Sequence, residues 1–147
     1  MRSIFTSVLI LLATAGIASA APTARDAWIR LVPGQENASA YVSLTTTADD
    51  ALVSVESNCC SSVEIHEMSM DGDVMQMRQV KEVKLPAGKT VTLAPMGFHI
   101  MLIGLDDAPE NGSALPLTLN YASGFSQKVA FTVKLVGAQA QDHGGHH

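Results

Sequence analysis

A single antiparallel β-sandwich or Greek-key barrel is the fold the sequence predicts, and three observations predict it. Short runs of alternating apolar and polar residues recur about every 8–12 residues between turn signals, and helical periodicity is scarce beyond the N-terminal segment. Removing an export signal of 20 residues from the chain of 147 leaves enough for one core and too little for two domains. No internal repeat or long linker divides what remains.

The N-terminal segment MRSIFTSVLILLATAGIASA has a charged start at Arg2, an apolar run of about ten residues and an Ala18-Ser19-Ala20 cleavage site. That run is too short to span a bilayer, so the expected product is exported and starts near Ala21. Strands then follow at Ala27–Val32, Ala40–Thr45, Leu52–Glu56, Val63–Met68, Met75–Val80, Thr90–Ala94 and Phe98–Gly104. Turn chemistry separates them at Pro33-Gly34, Asp49-Asp50, Asp71-Gly72, Pro86-Ala87-Gly88 and Asn111-Gly112. The most regular alternation comes last: Leu115, Leu117, Leu119 and Tyr121 line one strand face, then Val129, Phe131, Val133 and Leu135 line another. The predicted domain spans 21–136, and a small, polar, histidine-containing tail covers 137–147.

A formal charge of −5, one unit more negative without Arg2, argues against nucleic acid and anionic membranes as partners and does not repel cations. The only cysteines, Cys59 and Cys60, are neighbours, so they cannot build a loop-closing disulfide framework. A vicinal disulfide, two free thiols or pairing with another chain all remain open from sequence.

The stretch EIHEMSMDGDVMQM at 64–77 concentrates four methionines around one histidine. Asp71-Gly72 reads as a two-residue type I′ hairpin turn. Centring the turn there sets His66 opposite Met77 and Met68 opposite Met75, all on one face. Downstream, His99 and Met101 sit two apart in MGFHIM and share a strand face, with Met96 at its rim. All six methionines beyond the signal segment lie between 66 and 101. A gap-filling core residue would be scattered more widely.

Imidazole and thioether form a soft to intermediate donor set that suits copper, above all Cu(I), and suits Mg²⁺ or Ca²⁺ poorly. Zinc normally takes cysteine, histidine and carboxylate. In an oxidising compartment a thioether stays a soft ligand where a thiolate is prone to cross-linking. The competing structural reading is that these methionines simply pack as core.

Ten residues separate His66 from Met77, twenty-one separate Met77 from His99, and one separates His99 from Met101. This resembles the periplasmic copper chaperones called PCu(A)C, whose signature is H(M)-x10-M-x21-H-x-M. The resemblance extends over AWIR at 27–30, VEIHEMSMDG at 63–72, LPAG at 85–88, GFHIMLIGL at 97–105 and LPLTLNY at 115–121. It implies a cupredoxin-like fold that binds one Cu(I) through His66, Met77, His99 and Met101. It also implies delivery in the bacterial periplasm toward the copper centre of cytochrome c oxidase, alongside Sco-type proteins. Met68 and Met75 are accessory candidates. The tail histidines His143, His146 and His147 resemble the Cu(II)-binding extension of some members, though without its methionines. Glu64, Glu67, Asp71 and Asp73 are candidates for steering a partner, or else ordinary solvated strand positions.

Two other classes compete with a chaperone: a copper electron-transfer or storage protein, and a non-metal β-sandwich interaction module. A blue-copper centre needs a cysteine thiolate beside two histidines, and Cys59 and Cys60 fall outside the ligand pattern. No nucleophile, phosphate-cradling loop or acid–base pair supports an enzyme.

Overall fold

The computed structural model describes residues 20–137; residues 1–19, where the sequence predicts an export signal, and the predicted tail with His143, His146 and His147 lie outside the described residues. Ten strands follow one another: β1 Thr23–Leu31, β2 Ala38–Thr45, β3 Asp50–Glu56, β4 Cys60–Asp71 and β5 Val74–Gln79, then β6 Val83–Leu85, β7 Thr90–Thr92, β8 Phe98–Leu105, β9 Ala114–Tyr121 and β10 Ser126–Leu135. Among the described residues there is no helix. Hydrogen bonding links them in the order β5-β4-β8-β2-β1-β10-β9-β3-β6, with β7 pairing β2 beside this path. The sheet folds over a shared core without closing, which leaves β5 and β6 as edges.

One pairing departs from the antiparallel expectation. β1 runs parallel to β10, with Trp28 beside Thr132 and Leu31 beside Leu135, so the sheet is mixed. The other ladders are antiparallel. A hairpin can join only antiparallel neighbours. The parallel contact therefore brings together the first and last strands, with the rest of the domain as their crossover.

The alternating pattern positions the core as expected. Leu117 and Leu119 of β9 and Phe131 and Val133 of β10 are fully buried, against Ile29, Val42, Leu44, Leu52, Ile100 and Leu102. Burying each such side chain contributes roughly 1.5–3 kcal/mol before entropy is counted. Strand ends were harder to read. β1 begins four residues earlier than Ala27, because a bulge between Arg25 and Trp28, with Asp26 at φ 53°, interrupts the alternation. The three residues of β6, between Glu82 and Pro86, are too few to show a strand period in the sequence.

Cys59 and Cys60 are joined to each other as a vicinal disulfide, at the start of β4. On the adjoining strand, Gly104 has φ 68°, and its N–H donates to Asn37 Oδ1 at 3.0 Å. A Cβ at Gly104 would stand 2.7 Å from Ser61 Oγ and 3.2 Å from Ser61 Cβ. Both left-handed backbone and close approach therefore demand glycine at this point in the β4–β8 ladder.

Gly104→Ala is expected to lower unfolding free energy in urea by about 1–3 kcal/mol. Gly112 shares the positive φ but has open space at its Cβ position, so Gly112→Ala is expected to cost less.

Candidate metal centre

The β4–β8 ladder decides what faces outward. Ile65 pairs with Ile100, and both point into the core. Because side chains alternate, the neighbouring pairs His66 with His99 and Glu64 with Met101 project to the opposite face. On β2, Ser39 lies beside Met101, and Tyr41 lies beside Trp28 of β1. A row of rings results: Trp28 to Tyr41 at 4.9 Å, Tyr41 to His99 at 6.5 Å and His99 to His66 at 5.8 Å between centroids. Lys134 caps the far end, its Nζ 5.1 Å from the Trp28 ring centroid. This row shelters His99, which is only 3% exposed although it faces away from the main core.

Each imidazole has one nitrogen engaged and one bare. His66 Nε2–H donates to a carboxylate oxygen of Glu64 at 2.7 Å. His99 Nδ1–H donates to the Gly97 carbonyl at 3.1 Å. Both acceptors lack a proton to give, so the engaged nitrogens carry the hydrogens. With the rings neutral, the lone pairs are left on His66 Nδ1 and His99 Nε2, and both atoms are buried without a hydrogen-bond partner. An unpartnered buried polar atom costs about 1–3 kcal/mol. Two of them on facing rings match what a metal ion would satisfy. Burial also holds His99 below its ordinary pKa of 6.5, with the Gly97 hydrogen bond opposing and the nearby His66 assisting. The neutral form is the one that can ligate.

The hairpin corrects the predicted pairing. β4 and β5 place His66 opposite Gln79, Met68 opposite Met77 and Met70 opposite Met75, with Asp71 and Val74 closing the turn. His66 is therefore not opposite Met77, nor Met68 opposite Met75. Gly72-Asp73, not Asp71-Gly72, forms the two-residue loop, with Gly72 at φ 65° and Asp73 outside the positive-φ set. Glycine at the first central position suits a type II′ turn. The slip is two residues, so every side chain keeps its predicted face. Only the levels change.

Met77 and Met101 thus flank His66 diagonally from opposite ends, Met77 toward the hairpin turn and Met101 toward Glu64. Diagonal neighbours lie roughly 7–8 Å apart, within reach of long unbranched side chains. Met101 is held, since Ser39 Oγ donates to its Sδ at 3.4 Å. Met77 is 49% exposed and has no such tether. The structure therefore brings His66, His99 and Met101 together and leaves Met77 at the rim. Met68 and Met75 share the outward face nearer the turn. Among the described residues no cluster of three or more histidine, cysteine or carboxylate groups is placed to hold a metal.

Glu64 and Ser39 were not singled out as site residues, and they differ in how legible they were. Glu64 lies two residues before His66, so alternation alone puts both on one face. Ser39 reaches Met101 only because β2 adjoins β8, a pairing no local pattern encodes. Of the other acids, Glu67 faces Arg78 across the hairpin at 3.7 Å on the opposite side from the methionines.

The family model for LpqE-like proteins, described as "Putative lipoprotein LpqE-like", matches residues 23–133. The "Putative lipoprotein Lxx21020" of Leifsonia xyli subsp. xyli is 34% identical over 110 residues, covering 74% of this chain and 66% of the relative. This chain thus spans slightly less than two thirds of that relative's length. Among solved structures, the copper-bound PCuAC domain from PmoF2 superposes with a TM-score of 0.68 at 23% identity, covering 80% of this chain and 96% of that one. DR1885 from Deinococcus radiodurans matches in its Cu(I) form with a TM-score of 0.60 at 26% identity, covering 84% and 83%. Its apo form matches with a TM-score of 0.60 at 27% identity, covering 92% and 97%. The architecture is that of PCuAC domains, a cupredoxin-like β-sandwich.

Long-range ¹H–¹⁵N correlation on the metal-free protein above pH 7 is expected to find opposite tautomers, Nε2–H on His66 and Nδ1–H on His99. Glu64→Ala is expected to release the preference at His66 alone. Because the folded pKa of His99 lies below 6.5, the unfolded chain binds the proton first. The stability that neutral His99 contributes is therefore complete above pH 6.5 and is lost as pH falls through its folded pKa. His99→Gln should flatten that part of the stability–pH curve, measured by urea unfolding.

Proposed function

The chain belongs to the LpqE-like family, and from the buried, unpartnered nitrogens on the paired His66 and His99 rings we propose that it is an exported copper carrier. One Cu(I) is held by His66 Nδ1, His99 Nε2, Met101 Sδ and Met77 Sδ. The observation that carries the reading is the pair of buried bare nitrogens with thioethers diagonal to them. Copper in the Cu(I) form of DR1885 and in the PmoF2 domain supports it from related folds.

Division of labour among the ligands follows from their surroundings. Glu64 and Gly97 hold the imidazole tautomers, and Ser39 holds Met101, so three donors are preset. Outer contacts of this kind commonly contribute about 10–100-fold in metal affinity. Met77 is exposed on an edge strand, and its departure opens a coordination position to an incoming donor. Copper then passes by ligand exchange, with no change of oxidation state. Neutral thioethers leave the positive charge on the ion, and the Glu64 carboxylate hydrogen-bonded to His66 offsets part of it.

The proposed setting is the periplasm, after signal cleavage near Ala20. The proposed recipient is the copper centre of cytochrome c oxidase subunit II, directly or through a Sco-type protein, with the tail histidines capturing Cu(II). The role is carriage, not catalysis. An electron-transfer role has less support, because a blue-copper centre requires a thiolate and Cys59 and Cys60 are bonded to each other.

Anaerobic competition with a chromogenic Cu(I) chelator is expected to show one tight Cu(I) per chain. Met101→Leu should weaken that site by at least about tenfold, while Met70→Leu leaves it within about threefold, a free-energy change under about 1 kcal/mol. Affinity should fall as pH drops below about 6, because both imidazoles must be neutral. Equal affinity at pH 8 and pH 5 would remove histidine from the ligand set.

A further inference from the structure

The hairpin beyond the histidine pair has two faces of different chemistry. One carries Glu67 with Arg78 and Ser69 with Gln76, all polar. The other carries Met68 with Met77 and Met70 with Met75, all thioether. No core lies beneath this part of the ribbon. Ile65 is the last buried residue of β4, and every residue of β5 is exposed. Met70, Met75 and Met77 are exposed and Met68 is half-buried, so these methionines lie outside the main core that methionine usually fills.

Their mutual placement is closer than sharing a face requires. Val80 N–H donates to the Ile65 carbonyl at 2.9 Å, which marks that pair as a narrow, hydrogen-bonded one. Bonded and non-bonded pairs alternate along an antiparallel ladder. Met68 with Met77 and Met70 with Met75 consequently fall at non-bonded positions, where opposing Cα atoms are about 4.5 Å apart and side chains are closest. Met96 stands at the same end. The Met68 N–H donates to the carbonyl of Gly97, and Met96 itself is 69% exposed with φ 76°, a backbone state uncommon for a non-glycine residue.

We propose that Met68, Met70 and Met75 form a second soft-metal site on the hairpin, all thioether, which takes a monovalent d¹⁰ cation, Cu(I) or Ag(I). Met77 connects the two sites. It lies opposite Met68 and diagonal to His66, so an ion on the hairpin reaches the histidine pair by exchanging one thioether at a time. The hairpin is then the port through which the cargo enters and leaves. This extends the carrier reading above and rests on it for the direction of transfer, but not for the existence of the second site. Thioethers have no proton to lose, so the second site differs from the first in being indifferent to pH between 5 and 8.

The test uses Ag(I), which does not change oxidation state, on the mature chain carrying ¹³C-methyl methionine. Native mass spectrometry counts ions, and NMR reports the methionine methyls and histidine ring nitrogens. Two Ag(I) per chain are expected. The first should shift Met101, Met77 and both imidazoles; the second should shift Met68, Met70 and Met75 equally at pH 5 and pH 8. The triple variant Met68→Leu, Met70→Leu, Met75→Leu, conservative and mostly exposed, should bind one ion with the imidazole shifts intact. His66→Gln should keep the hairpin ion. One Ag(I) with the Met70 and Met75 methyls unmoved overturns this inference and leaves the carrier site standing. An ion on the hairpin methyls with the ring nitrogens unmoved upholds it and overturns the histidine site instead.

Discussion

The outward site depends on one alignment, Ile65 against Ile100 in the β4–β8 ladder. Both isoleucines are buried in the core, so their positions are set by the hydrophobic effect and not by anything on the outer surface. Alternation then turns His66 and His99 outward side by side, with Glu64 and Met101 one pair further on. A one-residue slip on either strand would send a histidine into the core and an isoleucine into water. The glycine at 104, with no room for a Cβ against Ser61, keeps the far end of the same ladder close. Packing on one side of the sheet therefore fixes which side chains stand together on the other.

The outer face then prepares the donors. A hydrogen bond to Glu64 and another to the Gly97 carbonyl select opposite tautomers on two adjacent rings and leave their lone pairs buried and unsatisfied. The Trp28–Tyr41 pair walls His99 from water and favours its neutral form. Buried nitrogens without partners are costly, and a soft cation ligated by them would offset that cost. In the proposed site thioethers complete the set without the disulfide cross-linking open to thiols, and Cys59 and Cys60 are bonded to each other. In the proposed carrier the tethered Met101 and the exposed Met77 differ in the same way, since such a protein must hold its cargo and also let go.

Much of this was legible in the sequence because it is local. Alternation in 115–121 and 129–135 reaches fully buried residues such as Leu117, Leu119, Phe131 and Val133, and alternation in 64–68 and 99–101 puts His66, Met68, His99 and Met101 on one outward face. What the sequence left unread depends on contacts between distant segments. The parallel join of β1 to β10, the reach of Ser39 to Met101 and the shelter over His99 arise from strand order, which no local pattern encodes. The hairpin level was misread for a more specific reason. Asp71-Gly72 and Gly72-Asp73 are both good two-residue turns, and they differ only in which central position the glycine takes. That choice moves the pairing by two residues and alters which methionine opposes which, while leaving every face intact. The tail histidines and the signal segment lie outside the described residues and contribute nothing to this picture.

X-ray absorption at the copper edge, on the protein loaded anaerobically with one equivalent of Cu(I), addresses the central claim most directly. Two nitrogen donors near 2.0 Å and two sulfur donors near 2.3 Å, roughly the lengths such ligands show to comparable metals, are what the facing imidazoles and flanking thioethers predict. A shell of sulfur alone, with no nitrogen scatterer, would contradict it and would place the copper on the hairpin methionines.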